Sequence, residues 1–438
     1  MIIRGAVLRE MGLPQPYAES RPLRTEQVEL APPGPGELLV RVRAAGLCHS
    51  DLSVIDGSRP RVMPMLLGHE ATGEVVRSEA PGFAPGDTVG FAFVPACGGC
   101  GPCAEGRAAL CEPGAAANTA GTLLGGAQRL DGVHHHLGVS GFADHAVVSA
   151  RSAVKIDPSL PPEIAALFGC AVMTGVGAVV NTARIQPGQS AVVFGLGGVG
   201  LAALLGAVLA GAHPIVAVDV VPEKLALATS LGATTAIDAR PTESSAAPTA
   251  APSEVSPNAA IPSGAGPSSG ALNAAIPSGA GPSDDARTVT SQSEPASSAA
   301  APRTAAPTAA AFDVVEAVRE ATAGGADYAF ETVGSAAVLG QAYAATRRGG
   351  TTVTVGLPHP YQLLSIPAVS LVAEERTLKG SYLGSAVPSR DIPRYIALYR
   401  AGRLPVDRLL TSTVSLDGLN EAFDELAAGT SIRQVLVF

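Results

Sequence analysis

The sequence predicts an α/β protein in two parts: a mainly-β region ahead of residue 171, then a doubly wound parallel-sheet domain that binds a dinucleotide. Three observations carry this. A glycine-rich turn sits between two apolar runs at 191–219. Short β-branched runs separated by Pro- and Gly-rich turns fill the first part of the chain, at 37–47, 73–77 and 87–94. After them the pattern alternates strand and helix, with one low-complexity interruption at 241–311.

The glycine-rich turn organises the rest. Residues 191–194 (AVVF) form a short apolar run of the kind buried in a parallel sheet. Gly195, Gly197, Gly198, Val199 and Gly200 follow, then an uncharged helical stretch at 201–212 and a second apolar run ending in Asp219. Gly195 allows the tight turn, Gly197 lets backbone N–H groups approach a pyrophosphate, and Gly200 lets helix and strand pack closely. Asp219 stands 19 residues past Gly200, where a carboxylate accepts from the adenosine ribose, which points to NAD. Two plainer readings compete: a membrane helix across the 22 uncharged residues 191–212, and a mere strand-terminating cap at Asp219. The glycines favour a strand–turn–helix over a membrane span.

At 438 residues the chain exceeds one typical core. With 29 Lys plus Arg against 38 Asp plus Glu the net charge is −9, and no basic run is present, which argues against nucleic acid as a partner. The start, MIIRGAVLRE, shows no secretory h-region. A cytoplasmic, non-membrane protein is expected. Its six cysteines then read as metal or redox chemistry rather than a disulfide framework.

Taken in order, the β-rich part gives way at residue 161 to helical periodicity that leads into the dinucleotide turn. Beyond Asp219 come an amphipathic helix from Pro222, closed by Gly232, and a strand at 235–238. The tract 241–311 has no aromatic residue and five large aliphatics, and NAAIPSGAGPS at 258–268 recurs at 273–283. So little apolar surface cannot offset ordering entropy, so a disordered surface insertion is expected there. A helix from Asp313, a strand at 327–334, a helix at 336–346 and a strand from Gly349 resume the β-α-β pattern. The tail, 378–438, is expected to hold a strand, two helices and a closing strand at 434–438.

Cys97, Cys100, Cys103 and Cys111 place four thiols within 15 residues. Spacings of two, two and seven let the backbone wrap one tetrahedral ion, and four thiolates suit a closed structural zinc site. A redox C-x-x-C and an iron–sulfur cluster are the alternatives; the Gly-rich loop lacks the strand-to-helix placement of a redox motif.

Cys48-His-Ser-Asp51, Gly68-His69-Glu70, the four-cysteine loop, Phe168-Gly-Cys170 with Thr174-Gly175, the turn GLGGVG and Ser431-Ile-Arg433 occur together in this order. The chain thereby resembles the zinc-dependent medium-chain alcohol dehydrogenases, over everything except the insertion. The resemblance implies a GroES-like mainly-β catalytic domain at 1–171, with the structural zinc loop at 97–111. It implies a Rossmann NAD-binding domain at 172–382 and a return to the catalytic domain at 383–438. It also assigns roles. Cys48, His69 and Cys170 would hold a catalytic zinc, making two zinc ions per chain, and Asp51 would orient His69. Glu70 resembles the family's acid near the metal, and Ser50 would contact the substrate hydroxyl. His49 and Arg433 would face the pyrophosphate, Thr174 the nicotinamide side, and Lys224 the adenosine ribose.

Two departures stand out: Ser53 occupies a place where many relatives carry a proton-passing histidine, and the insertion is foreign to the family. His134-His135-His136 suggests a third metal set, yet consecutive histidines on a strand cannot face one ion, so this stretch is read as the lead into a strand at 142–148. The implied activity is hydride transfer between an alcohol, or its aldehyde or ketone, and NAD. A dehydrogenase of thiol–formaldehyde adducts and a non-catalytic relative that keeps the fold are the alternatives. The resemblance further implies a homodimer or homotetramer paired through a strand near 377–382.

Overall fold

The computed structural model describes residues 1–240 and 313–438. The insertion expected at 241–311 lies outside the described residues. It enters between the strand Thr235–Asp238 and the helix Val314–Ala321, where the sequence pattern placed it.

The dinucleotide part is a six-stranded parallel sheet. Its strands lie side by side in the order Thr235–Asp238, Ile215–Asp219, Ala191–Phe194, Ala326–Glu331, Thr346–Thr354 and Thr377–Gly380. From Ala191–Phe194 the chain builds outward to one side, then crosses to Ala326–Glu331 on the other. That reversal opens a crevice at the carboxyl ends of the two central strands, where such sheets bind ligands. Val192, Phe194, Val216, Val218 and Phe330 are buried, as strands covered by helices on both faces require. Thr377–Gly380 is one of the two edge strands of the sheet among the described residues, Thr235–Asp238 being the other.

The β-rich part contains a seven-stranded sheet and a four-stranded sheet. In the larger, Glu37–Gly46 pairs with Glu70–Ser78, with His145–Ser149 and with Gln434–Val437. The tail therefore returns to the first part of the chain, bringing Arg433 beside Cys48. In the smaller, the two-residue strand Met65–Leu66 pairs with His134–His135.

Several boundaries differ from the sequence reading. The helical run after residue 161 breaks at Cys170, whose backbone (φ −138°, ψ −73°) caps the helix Ala171–Gly177 and turns its thiol out of the helical path. The helix after the glycine turn begins at Gly198 rather than Leu201. The strand expected at 142–148 runs His145–Ser149, and the tail gains a short strand, Ser412–Val414. Among the described residues no helix is long and apolar enough to cross a membrane; residues 191–212 divide into strand, turn and helix instead.

Candidate active site

The four-cysteine loop folds as its spacing requires. The sulfurs of Cys97, Cys100, Cys103 and Cys111 all lie within 4.8 Å of one another. Cys100 precedes the single turn Gly101–Ala104, and Cys111 caps the helix Glu112–Ala120. Backbone N–H groups point at the sulfurs: Cys97 to Cys111 Sγ at 3.2 Å, Cys100 to Cys97 Sγ at 3.3 Å, and Gly114 to Cys111 Sγ at 3.4 Å. Donors from Gly99 and Cys100 lower the Cys97 thiol to about 6, whereas burial raises Cys103 to about 12. An array of sulfurs surrounded by N–H donors suits thiolates around one cation.

A second set is assembled from three distant elements. Cys48 ends the stretch after Glu37–Gly46 and caps the helix His49–Ile55. His69 precedes Glu70–Ser78, and Cys170 caps Ala171–Gly177. Their ligand atoms also lie within 4.8 Å of one another, and all three residues are buried. His69 Nδ1 donates to Asp51 Oδ1 at 3.1 Å, and the Gly68 N–H donates to the same oxygen at 3.1 Å. With Nδ1 so engaged, Nε2 is left buried and without a protein partner, beside the two thiols. A buried orphan nitrogen facing two thiols fits a metal ion. Cys170 and Cys48 shift in opposite senses: their mutual contact pulls Cys48 well below the usual thiol range, and with burial it pushes Cys170 well above it.

His136 joins this set from behind. Its Nδ1 lies 3.1 Å from Asp51 Oδ1, and its ring stands edge-on to His69 with centroids 5.6 Å apart. Burial alone would raise Asp51, yet His69 and His136 hold it below its usual range. Reading 134–136 as merely a lead into a strand is thus corrected for one residue of three. His134 and His135 are taken up by the small sheet, and the next peptide turns His136 inward. Asp51, His69 and His136 could themselves be read as a ligand set, but His69 Nδ1 is already committed to Asp51.

Glu70 and Arg433 form the next layer. Glu70 Oε1 accepts from the Ala171 N–H at 2.9 Å, and Oε2 lies 3.4 Å from an Arg433 nitrogen. Burial pushes Glu70 up to about 7, with Arg433 opposing. Arg433 also donates to the Leu47 carbonyl and lies against Gly198, where a Cβ would meet its Nε at 2.5 Å. It therefore spans from the buried thiols to the glycine turn.

One cavity of about 490 Å³ connects these features. Cys48, Ser50, Ser53, Cys170 and Thr174 line one end; Gly195, Gly197, Gly198 and Val199 the middle; Asp219 and Lys224 the other, with His49 and Arg433 between. His69, Glu70 and Gly200 stand behind the wall. Gly195 takes φ +87°, and any Cβ on Gly200 would collide with the Gly195 carbonyl, so the turn needs glycine at both. Asp219 Oδ2 accepts from the Leu196 N–H at 2.6 Å, and Oδ1 accepts from Val220 and Val221 at 2.8 and 2.9 Å. It is a cap, as the plainer reading held, and a cavity-lining carboxylate as well. Ser53 donates to the His49 carbonyl at 2.7 Å.

The sequence reading missed several walls of this cavity. Thr332 holds the turn by donating to the Phe194 and Gly195 carbonyls. Phe93, Tyr382, Leu357 and Arg59 line the end nearest the thiols. Phe93 stands edge-on to both His69 (5.4 Å) and Tyr382 (5.9 Å). Scattered single residues carry no spacing signal, and only tertiary placement reveals them.

Both parts of the chain are similar to known proteins. Residues 34–158 match the alcohol dehydrogenase GroES-like domain, and residues 198–254 and 289–401 match the zinc-binding dehydrogenase domain. The unmatched 255–288 holds both copies of the repeat. The chain is 34% identical to geraniol dehydrogenase of Castellaniella defragrans, over 99% of this chain and 97% of that protein. It resembles the crystal structure of an alcohol dehydrogenase zinc-binding domain protein from Burkholderia ambifaria (TM-score 0.78, 31% identity, 100% of this chain and 99% of that one). Benzyl alcohol dehydrogenase from Acinetobacter calcoaceticus is similarly close in structure (TM-score 0.79, 27% identity, the same coverage). The chain belongs to the zinc-binding medium-chain alcohol dehydrogenase family, with its GroES-like and Rossmann domains, and is an alcohol dehydrogenase-type oxidoreductase.

Proposed function

We propose that this protein transfers a hydride between an alcohol and NAD at a zinc site formed by Cys48, His69 and Cys170, with a second, structural zinc on Cys97, Cys100, Cys103 and Cys111. The observation that carries the reading is the buried, unpartnered His69 Nε2 beside two thiols, at the inner end of a cavity whose far end is Asp219. When bound, zinc supplies a Lewis acid that makes the alcohol hydroxyl easier to deprotonate, and NAD supplies the hydride acceptor. The chain does the rest. Asp51 fixes the His69 ring through Nδ1. Ser50 presents a hydroxyl to the cavity where a substrate hydroxyl would lie. Arg433 puts positive charge near the glycine turn, the His49 ring, held neutral by burial and by the nearby cations, lines the cavity beside it, and the helix Gly198–Ala210 aims its first N–H groups there. Asp219 offers a carboxylate that a ribose 2′-hydroxyl can use and a 2′-phosphate would be repelled by. Ser53 has no titrating group near neutral pH and spends its hydrogen on the His49 carbonyl, so the substrate proton leaves by solvent at this mouth.

Elemental analysis of freshly purified protein should give two zinc ions per chain. One or none in active protein would overturn the two-site assignment. NAD should exceed NADP in kcat/KM, and Asp219→Gly should narrow the gap; equal efficiencies in the wild type would remove Asp219 from its role. The edge strand Thr377–Gly380 is the proposed pairing strand of a homodimer, checked by light scattering.

A further inference from the structure

We propose that the substrate is an alcohol or aldehyde with an apolar body and a carboxylate at its far end, and that Arg59 and Arg61 receive that carboxylate. The proposal rests on the dehydrogenase reading above and adds a substrate class to it.

Arg59 follows the helix His49–Ile55 and lines the same cavity as Cys48, Ser50 and Cys170. It is half-buried, and its one side-chain hydrogen bond goes to a neutral acceptor, the Pro358 carbonyl at 3.1 Å. Arg61 lies near enough for its charge to act on Arg59, Tyr382 and His136, and its Nε is buried without a partner. Among the described residues neither guanidinium has a carboxylate within 4.0 Å. Among the described residues, Arg129 pairs with Glu37, Arg376 with Glu374 and Arg433 with Glu70, whereas Arg319, far from the thiols in sequence, is also half-buried without a carboxylate partner. Two like charges close together, Arg59 on the cavity wall and Arg61 beside it, repel each other and leave donors unmet. An anion entering between them relieves both penalties, and a carboxylate matches the guanidinium fork.

The wall between these arginines and the thiols is apolar: Phe93, Leu357, and the ring of Tyr382 packed on Phe93. A substrate that presents its carbinol to Cys48 and Cys170 would lay its body on these side chains and its other end toward Arg59. The reaction balances as for any alcohol. The carbinol C–H leaves as hydride to NAD, the hydroxyl proton goes to solvent, and the carboxylate is unchanged.

The test compares 4-(hydroxymethyl)benzoate with benzyl alcohol, using the zinc-loaded protein at saturating NAD. A hydrogen bond to a charged group corresponds to roughly 10- to 100-fold, so kcat/KM for the carboxylated alcohol should exceed that for benzyl alcohol by about ten-fold or more. The gain should lie in KM and shrink with added salt. In Arg59→Gln with Arg61→Gln the ratio should fall to near one. Arg59→Lys, which keeps the charge and loses the fork, should retain part of it. A wild-type ratio at or below one with benzyl alcohol still oxidised overturns the carboxylate proposal alone. The same holds for a ratio that survives the double substitution, which would leave Arg59 as a tie to Pro358 only. If zinc-loaded protein oxidises neither alcohol with NAD or NADP, the dehydrogenase reading falls, and calorimetric titration with benzoate then decides the arginines. Binding weakened about ten-fold by the double substitution supports their anion site, and absent or unaltered binding overturns it.

Discussion

The two cysteine-containing sets make opposite demands on the chain. The 97–111 loop gathers four sulfurs from 15 consecutive residues, and backbone N–H groups of the loop and of Gly114 just beyond it reach the sulfurs of Cys97 and Cys111. The Cys48, His69, Cys170 set draws on three elements up to 122 residues apart, is buried on every ligand, and is oriented by side chains rather than peptide groups. The first set has four candidate ligands, and none of them lines the cavity that the second set opens on. The second has three, and Cys48 and Cys170 face the cavity. A closed site contributes to folding; an open one depends on a fold already made.

The largest expected break in this contrast is Cys170→Ser. Losing a ligand of the open set should cut turnover by about 10³-fold or more, since Lewis-acid assistance supplies several kcal/mol. Zinc content should fall from two to one while the melting temperature moves little, as elemental analysis and calorimetry would show. Cys103→Ser should do the reverse. Metal loss from the closed set should lower the melting temperature, on the order of 5–10 °C, while kcat per folded molecule stays close to wild type. If both variants lost activity and stability in parallel, the division of labour would be wrong.

Two smaller effects sharpen the comparison within the open set. Asp51→Asn removes the charge that fixes His69 and should cost about 10- to 100-fold in metal affinity or activity, read by competition with a chelator of known affinity. His136→Phe keeps the ring volume and removes the second nitrogen contact with Asp51. It should cost only about 2- to 5-fold, in the same direction and by the same assay.

The same contrast explains what the sequence could and could not disclose. The four-cysteine loop and the glycine turn were legible because their chemistry is local: spacing alone brings the sulfurs together, and Gly195 and Gly200 are demanded by one turn. Cys48, His69 and Cys170 carry no mutual spacing, so only the family resemblance connected them. His136 was hidden by its neighbours, because a run of three histidines conceals which one a strand end will turn inward. Arg59, Phe93 and Tyr382 are single residues on three separate segments, and nothing short of the folded cavity places them side by side. Asp219 was offered two roles as alternatives, and its two oxygens allow both.

Arg433 gives this architecture a consequence in time. Its guanidinium holds the Leu47 carbonyl and faces Glu70, and Gln434–Val437 locks it there by pairing with the strand that leads to Cys48. During synthesis Cys48 and His69 are made early, hundreds of residues before the arginine that backs them. A ribosome that stalls between Cys170 and Arg433 releases a chain with every candidate metal ligand present and the active-site wall still open. Such a fragment could capture zinc and remain inert, so metal content alone would misreport how much working enzyme a cell has made.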